Sequence, residues 1–239
     1  APGCVLVLDF NLGLGAKAYD KSGEANDGEI LSGVTWTGGQ FGNALNFVGS
    51  GPGGYVTVAT GVGLQNLPNI TAEAWVRPKG TPLYGNIMGK AVGVNGGWLL
   101  RISQGGNGRI IPHVYTNTWY TAAGSVVPLN VWSHVAMTYD GTTLKAYRDG
   151  MLDGSTILSG NLASEGNQIL IGTATADESD LFIGDIDEVR VYNRALSVDE
   201  IRGRFIQGLA KLGRIQGSIR LFTSGWTPKM WFDPETADF

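Results

Sequence analysis

The sequence predicts an all-β protein, an antiparallel sandwich of two sheets, and three observations carry that prediction. Short apolar segments rich in strand formers recur about every 10 to 15 residues along the chain, close to the spacing that marks sandwiches and barrels. Glycine contributes 37 of 239 residues while charged residues make up only 16%, a composition suited to many turns and few solvated helices. No helical crossover separates successive strand segments, which argues against a parallel βαβ sheet.

The elements follow in order. Val5 to Phe10 reads as a strand, and the turn-rich stretch from Asn11 to Gly28 reads as a long loop. Strands are expected over Asn43 to Phe47, Gly54 to Ala59, Ile70 to Pro78, Gly85 to Lys90, Gly97 to Ser103 and Arg109 to Tyr115, each bounded by Gly, Asn or Pro. Between Ser133 and Arg148 the alternation and the Asp140-Gly141 turn predict a hairpin. Gln168 to Gly172 and Leu181 to Tyr192 complete the set.

One helix is signalled. Ser197 and Glu200 form an S-x-x-E capping box, Ile201, Phe205, Leu209 and Leu212 recur on one face, and Gly213 can end the helix in a left-handed conformation. The domain is therefore read as residues 1–212, followed by an extension over 213–239. In that extension Ile215 to Phe222 alternates like a strand and Trp226 and Trp231 follow it.

Composition excludes several functions. The 17 basic and 21 acidic residues are spread without long runs, so neither a phosphate-binding stripe nor a polybasic membrane anchor is present. The single Cys4 rules out an internal disulfide and an ordinary structural zinc site. Cys4 can be free, lipidated or paired with another molecule. No apolar stretch of about 18 residues exists to span a bilayer.

The segment Ile186-Asp187-Glu188-Val189-Arg190-Val191-Tyr192-Asn193-Arg194-Ala195-Leu196-Ser197 resembles the closing motif of laminin-G-like domains of the concanavalin A-like superfamily. Asp20-Lys21-Ser22-Gly23 with Asn26-Asp27-Gly28, Phe41 to Phe47, Ala72 to Val76 and Trp132 to Ala136 stand in the order that resemblance requires. It implies a two-sheet antiparallel jelly-roll sandwich over roughly residues 5 to 206, with ligands held on the concave face or at the loop rim. The family includes sugar-binding modules, adhesion domains and extracellular structural parts, which implies a secreted or cell-surface location; fold alone does not choose among them.

Sugar recognition needs an aromatic plate flanked by amide, guanidinium or carboxylate groups. Tyr115, Asn117, Trp119 and Tyr120 supply plates and amide together, with Tyr84, Asn86, Asn95, Arg101 and His113 as possible additions. Packing of Trp119 or Tyr120 against the sandwich edge is the plain alternative. Trp36, Trp75 and Trp132 read as core residues.

Calcium is a second expectation: Asp20 and Asp27, with Asn26 and Asp187, offer oxygen ligands to a hard cation, and laminin-G-like domains often hold one. Turns built only from side-chain bonds to their own backbone would use the same residues. Catalysis is less well supplied. Asp185, Asp187 and Glu188, or Asp177, Glu178 and Asp180, do not reproduce the glutamate-x-aspartate-x-glutamate array of laminarinase-like enzymes, and His134 within a strand motif reads as structural.

The leading expectation is a non-catalytic extracellular binding or adhesion module for a polysaccharide or glycoprotein glycan. A self-assembling surface or filament subunit, joined through Ile219, Leu221, Trp226 and Trp231, is the alternative. A glycan-cleaving enzyme comes third.

Overall fold

A computed structural model describes residues 2–49, 54–59, 61, 63–65, 67–90, 96–163, 168–174 and 180–213. The expected assembly segment, with Ile219, Leu221, Trp226 and Trp231, and the candidate Asn95 lie outside these residues.

Two antiparallel sheets form the sandwich. The first holds, from one edge to the other, β14 (Met151–Ile157), β13 (Thr143–Arg148), β12 (Ser133–Tyr139), β7 (Ile70–Pro78), β16 (Ile183–Tyr192), β5 (Asn43–Val48) and β4 (Val34–Gly38), with β1 (Cys4–Leu8) also paired to β16. The second runs β11 (Trp119–Thr121), β10 (His113–Tyr115), β9 (Trp98–Gln104), β8 (Tyr84–Lys90), β15 (Gln168–Ile171), β6 (Val56–Ala59), β3 (Gly28–Ile30) and β2 (Lys17–Ala18). Alternate side chains fill the space between them: Ala72, Ala74, Val76, Val135, Met137, Val189 and Val191 from the first sheet meet Val56, Val58, Trp98, Leu100, Val114, Ile169 and Ile171 from the second. This is the period-2 pattern of a strand buried on one face.

The long strand β16 solves a pairing problem. Its first half, Ile183 to Ile186, pairs with β5, and its second half, Val189 to Tyr192, pairs along the same edge with β1. At the junction the register against β7 slips by one residue between Asp187 and Arg190, and Glu188 takes φ 51°. A β-bulge there keeps Val189 and Val191 on the core side.

The helix α1 (Val198–Lys211) starts at the expected box: Glu200 N–H donates to the Ser197 hydroxyl at 3.2 Å, and Ser197 N–H donates to the Glu200 carboxylate at 2.8 Å. Gly213 ends it at φ 66°. Its contact face differs from the expected Ile201-Phe205-Leu209-Leu212 row, because Ile201 and Gly208 are the buried positions while Leu209 is half-buried. Gly208 sits where a side chain would strike Trp75, and Phe205 stacks on that same ring at 5.7 Å.

Other expectations are refined as well. The segment 11–28 contains β2 and the start of β3, and β4, β11 and β14 form where no strand was expected. Only His113–Tyr115 of the expected 109–115 strand is regular, its beginning being tied by single bridges from Arg109 to Val126 and from Ile110 to Ile102. Trp75 lies on the outer face of the first sheet under α1, and Trp132 is half-buried beneath the Arg77 guanidinium. The tryptophan sealed between the sheets is Trp98, which is 0% exposed.

Candidate functional site

The outer face of the second sheet gathers most of the sugar-recognition candidates. On β9 the side chains of Trp98, Leu100 and Ile102 enter the core, so Leu99 and Arg101 point outward; on β10 Val114 points inward and His113 and Tyr115 outward. Residues 116–118 turn the chain into β11, where Trp119 lies directly opposite Tyr115. The stretch expected to be a loop is thus a hairpin, and the hairpin makes the aromatic group. Trp119 meets Tyr115 edge-on at 5.3 Å and His113 edge-on at 6.1 Å, separations at which aromatic rings attract.

Asn117 sits at the turn, exposed, and its Oδ1 accepts from the Thr116 hydroxyl at 3.1 Å and from the Tyr120 hydroxyl at 3.4 Å. With that oxygen engaged, the amide offers its N–H donors to a ligand. Tyr120 lies opposite Val114 and packs on the core, so it braces the turn through its hydroxyl and is not one of the plates.

A polar group continues across the same face. Arg101 Nε donates to Asn86 Oδ1 at 2.9 Å, its guanidinium lies 5.2 Å over the Tyr84 ring, and Asp180 approaches it at 3.6 Å. Asn86 in turn donates to the Asp180 carbonyl at 3.1 Å. His113 is 6% exposed, and its Nδ1 lies 2.9 Å from the Ile111 carbonyl oxygen. Burial, with the nearby Arg101 charge, lowers the His113 imidazole to about 4, so the ring is neutral at ordinary pH.

The calcium candidates occupy two separate settings. The Asp20 carboxylate accepts from Val7 N–H at 2.9 Å, Ser22 N–H at 2.8 Å, the Ser22 hydroxyl at 2.6 Å and Asn26 N–H at 2.9 Å. Asp27 accepts from Asp20 N–H at 2.9 Å and pairs with Lys17 at 2.9 Å. This pair fastens a turn to β1. Asp187 instead sits in the β16 bulge and accepts from Phe41 N–H at 3.0 Å and Glu188 N–H at 2.7 Å. Burial lifts its carboxyl to about 7, the Phe41 amide opposing and the Glu188 charge reinforcing the rise. Among the described residues no group of three or more His, Cys, Asp or Glu side chains is placed to hold a metal ion.

The remaining carboxylates of the strand motifs are bound into the architecture. Asp185, 0% exposed, is held by Arg77 at 2.6 Å, Lys79 at 2.7 Å and Asn46 at 2.7 Å. Glu73 lies beneath α1 among His134 at 3.4 Å, Arg204 at 3.1 Å, Arg190 at 3.7 Å and the Tyr192 hydroxyl at 3.3 Å. Burial by itself would raise the Glu73 carboxyl, but His134, Arg190 and Arg204 outweigh it and hold the group at about 2. Glu188 pairs with Arg190 and, at 3.2 Å, with Lys211. Glu73 escaped the sequence reading; the signal was its place in Ala72-Glu73-Ala74-Trp75, where a charge interrupts small and apolar residues on a central strand.

A cleft of about 400 Å³ lies beside this bulge, lined by Asn11, Gln40, Phe41, Gly42, Glu188, Lys211 and Leu212. It is remote in the fold from the aromatic hairpin, being on the first sheet and the end of α1.

With fold and surfaces defined, comparison with known proteins gives the class. The laminin G family profile described as the concanavalin A-like lectin/glucanases superfamily matches residues 49–202. The chain belongs to that superfamily. No curated protein matches the sequence. Among solved structures, the binding domain of Paraclostridial Mosquitocidal Protein 1 is similar at TM-score 0.67 and 16% identity, over 85% of this chain and 52% of that one. Domain 4 of AbnA, a GH43 extracellular arabinanase from Geobacillus stearothermophilus in complex with arabinotriose, is similar at TM-score 0.68 and 20% identity, over 84% of this chain and 97% of that one. The binding domain of Botulinum Neurotoxin DC in complex with SialylT is similar at TM-score 0.69 and 15% identity, over 86% and 51%. The chain spans about half the length of the toxin binding domains it matches. These solved neighbours are binding domains or a domain holding a sugar, and at such identities they establish a shared fold. Among the described residues no helix is long and apolar enough to cross a membrane.

Proposed function

We propose that the chain is a non-catalytic extracellular module that binds a glycan on the outer face of its second sheet. One observation carries the reading: the β10–β11 hairpin brings Tyr115, Trp119 and His113 into one edge-packed group, with the exposed Asn117 in the turn that joins the two strands. Half-exposed aromatic rings cover the apolar face of a sugar ring, and an amide replaces the water lost by its hydroxyls. The likeness to a domain solved with arabinotriose and to one solved with SialylT supports a saccharide as the ligand class. Against hydrolysis stands the arrangement of Glu73, Asp185 and Glu188, each paired with cations on the outer face of the first sheet or under its helix. An acid and a nucleophile would instead have to face one open groove.

Titration calorimetry against a panel of oligosaccharides tests the proposal. Trp119→Ala is expected to weaken binding at least about fivefold, in line with the ~1–3 kcal/mol lost with an aromatic plate, with a cooperative melting transition retained. A fully retained affinity in that variant, or turnover of a bound oligosaccharide, would overturn the proposal.

A further inference from the structure

The aromatic hairpin is one end of a longer arrangement. Trp119 meets His113 at 6.1 Å, His113 lies close enough to Arg101 for the guanidinium charge to lower its imidazole, and that guanidinium lies 5.2 Å over the Tyr84 ring. These four side chains stand on β11, β10, β9 and β8, successive neighbours in the second sheet, and each contact joins one strand to the next on the outer face. A row of touching or near neighbours thus crosses four strands from Trp119 to Tyr84.

The row is diagonal. Tyr115, opposite Trp119, donates its N–H to the Gly97 carbonyl at 2.9 Å just before β9 begins, whereas Tyr84 stands opposite Gln104 where β9 ends. Three strand spacings of ~4.8 Å across the sheet and ~20 Å along β9 place the two rings ~25 Å apart. Trp119 and Tyr84 are half-buried, while Asn86 is 0%, His113 6% and Arg101 7% exposed, so two plates flank a sunken polar stretch. That stretch is fixed: Arg101 Nε donates to Asn86 Oδ1 at 2.9 Å, Asn86 donates to the Asp180 carbonyl at 3.1 Å, and the Asp180 carboxylate approaches Arg101 at 3.6 Å. Arg101 in turn props the Tyr84 ring, and a ring already held in place costs little ordering when a ligand arrives.

A single sugar ring covers one plate and leaves the other bare, whereas a linear chain of about five units, at ~5 Å each, reaches both. Resting on the glycan reading above, we infer that the site takes an extended linear glycan, about five units or longer, laid diagonally from Trp119 to Tyr84, with Tyr84 as its second plate.

The test is calorimetry of the unsubstituted protein with linear xylan and β-glucan oligosaccharides of two to seven units. Affinity is expected to climb with chain length and to level off near five or six units, the longest chains binding at least about fivefold more tightly than the trisaccharide. This readout does not depend on a variant folding. Tyr84→Ala is expected to flatten the series beyond the trisaccharide, Tyr84→Phe, which keeps the ring, to restore the climb, and Trp119→Ala to weaken every length. Affinity already level from the disaccharide upward, or a climb that survives Tyr84→Ala intact, overturns the extended site and leaves the glycan reading standing. Binding of no member of either series removes both.

Discussion

Two buried titratable side chains respond to pH in opposite directions, and both effects can be read residue by residue. Asp187 is lifted to about 7, so the folded state holds a proton that the unfolded chain releases near the ordinary carboxylate value of about 4. Its contribution to stability is present below that value and is lost as pH rises through about 7. His113 is lowered to about 4, so the unfolded chain binds the extra proton; its contribution is present above about 6.5 and is lost as pH falls through about 4. In the unsubstituted protein the two slopes offset one another across the overlapping range. Melting temperatures of Asp187→Asn should therefore rise more steeply from pH 5 to 7 than those of the parent, whereas those of His113→Gln should rise less or fall. Parallel profiles for parent and variants would show that neither group titrates in this way. Glu73, held at about 2, adds stability above the ordinary carboxylate range and loses it only in stronger acid, outside this window.

At the scale of an element, α1 offers a controlled pair of substitutions. Gly to Ala in a helix interior ordinarily stabilises by ~0.5–1 kcal/mol. Gly203 has open space where a Cβ would go, and Ala there is expected to give that gain. Gly208 has Trp75 Cζ2 at 2.7 Å and Phe41 Cζ at 3.1 Å from the same point, so Ala must push the helix off the sheet. It is expected to destabilise despite its better propensity. Denaturant midpoints of the two variants check the contrast, and stabilisation by both would mean that α1 is not seated on Trp75. The charged groups under this helix follow the same logic. Arg204 Nε reaches Glu73 and Lys211 reaches Glu188, so α1 adds a second cation to each of two carboxylates that Arg190 of the first sheet already pairs with.

For the whole molecule, closure depends on the two ends of the domain meeting. β1 pairs with the second half of β16, Asn193 N–H donates to the Gly3 carbonyl at 2.8 Å, and Arg194 Nε donates to the Pro2 carbonyl at 2.9 Å. Val5, Leu6 and Leu8 are all within the core. Removing residues 1–8 would bare one edge of β16 and withdraw three apolar side chains worth ~1.5–3 kcal/mol each, a loss comparable with the stability of an ordinary domain. The truncated chain is expected to lose its cooperative melting transition and its near-ultraviolet circular dichroism. A sharp transition in that chain would place the folding unit elsewhere. The opposite edge strand β14 is protected differently, since Ser125 donates to Asp153 through its N–H at 2.7 Å and its hydroxyl at 2.9 Å, and Thr156 donates to the Thr121 carbonyl at 2.6 Å. Segment 121–125 thus lies along an edge that would otherwise invite strand pairing.

Sequence by itself determined what depends on near neighbours along the chain. Alternation placed Val189 and Val191 on one side of a strand and Arg190 and Tyr192 on the other, the Ser197-Glu200 box started a helix, and glycine at 213 ended it, because each rests on a period or a cap within a few residues. It also brought Tyr115, Asn117 and Trp119 under suspicion as neighbours in a short polar, aromatic stretch. Tertiary structure decided the rest. Only strand pairing could show that 119–121 turns back on 113–115, that Tyr120 braces the turn from the core side, and that Arg101 and His113 share a face with the indole. Likewise the short, half-exposed strands β2, β4 and β14 carry weak local patterns and exist because a neighbour supplies their hydrogen bonds. Position along the chain sets which residues can form a strand; which faces of distant strands coincide is fixed by packing, and a binding surface is a property of coincident faces.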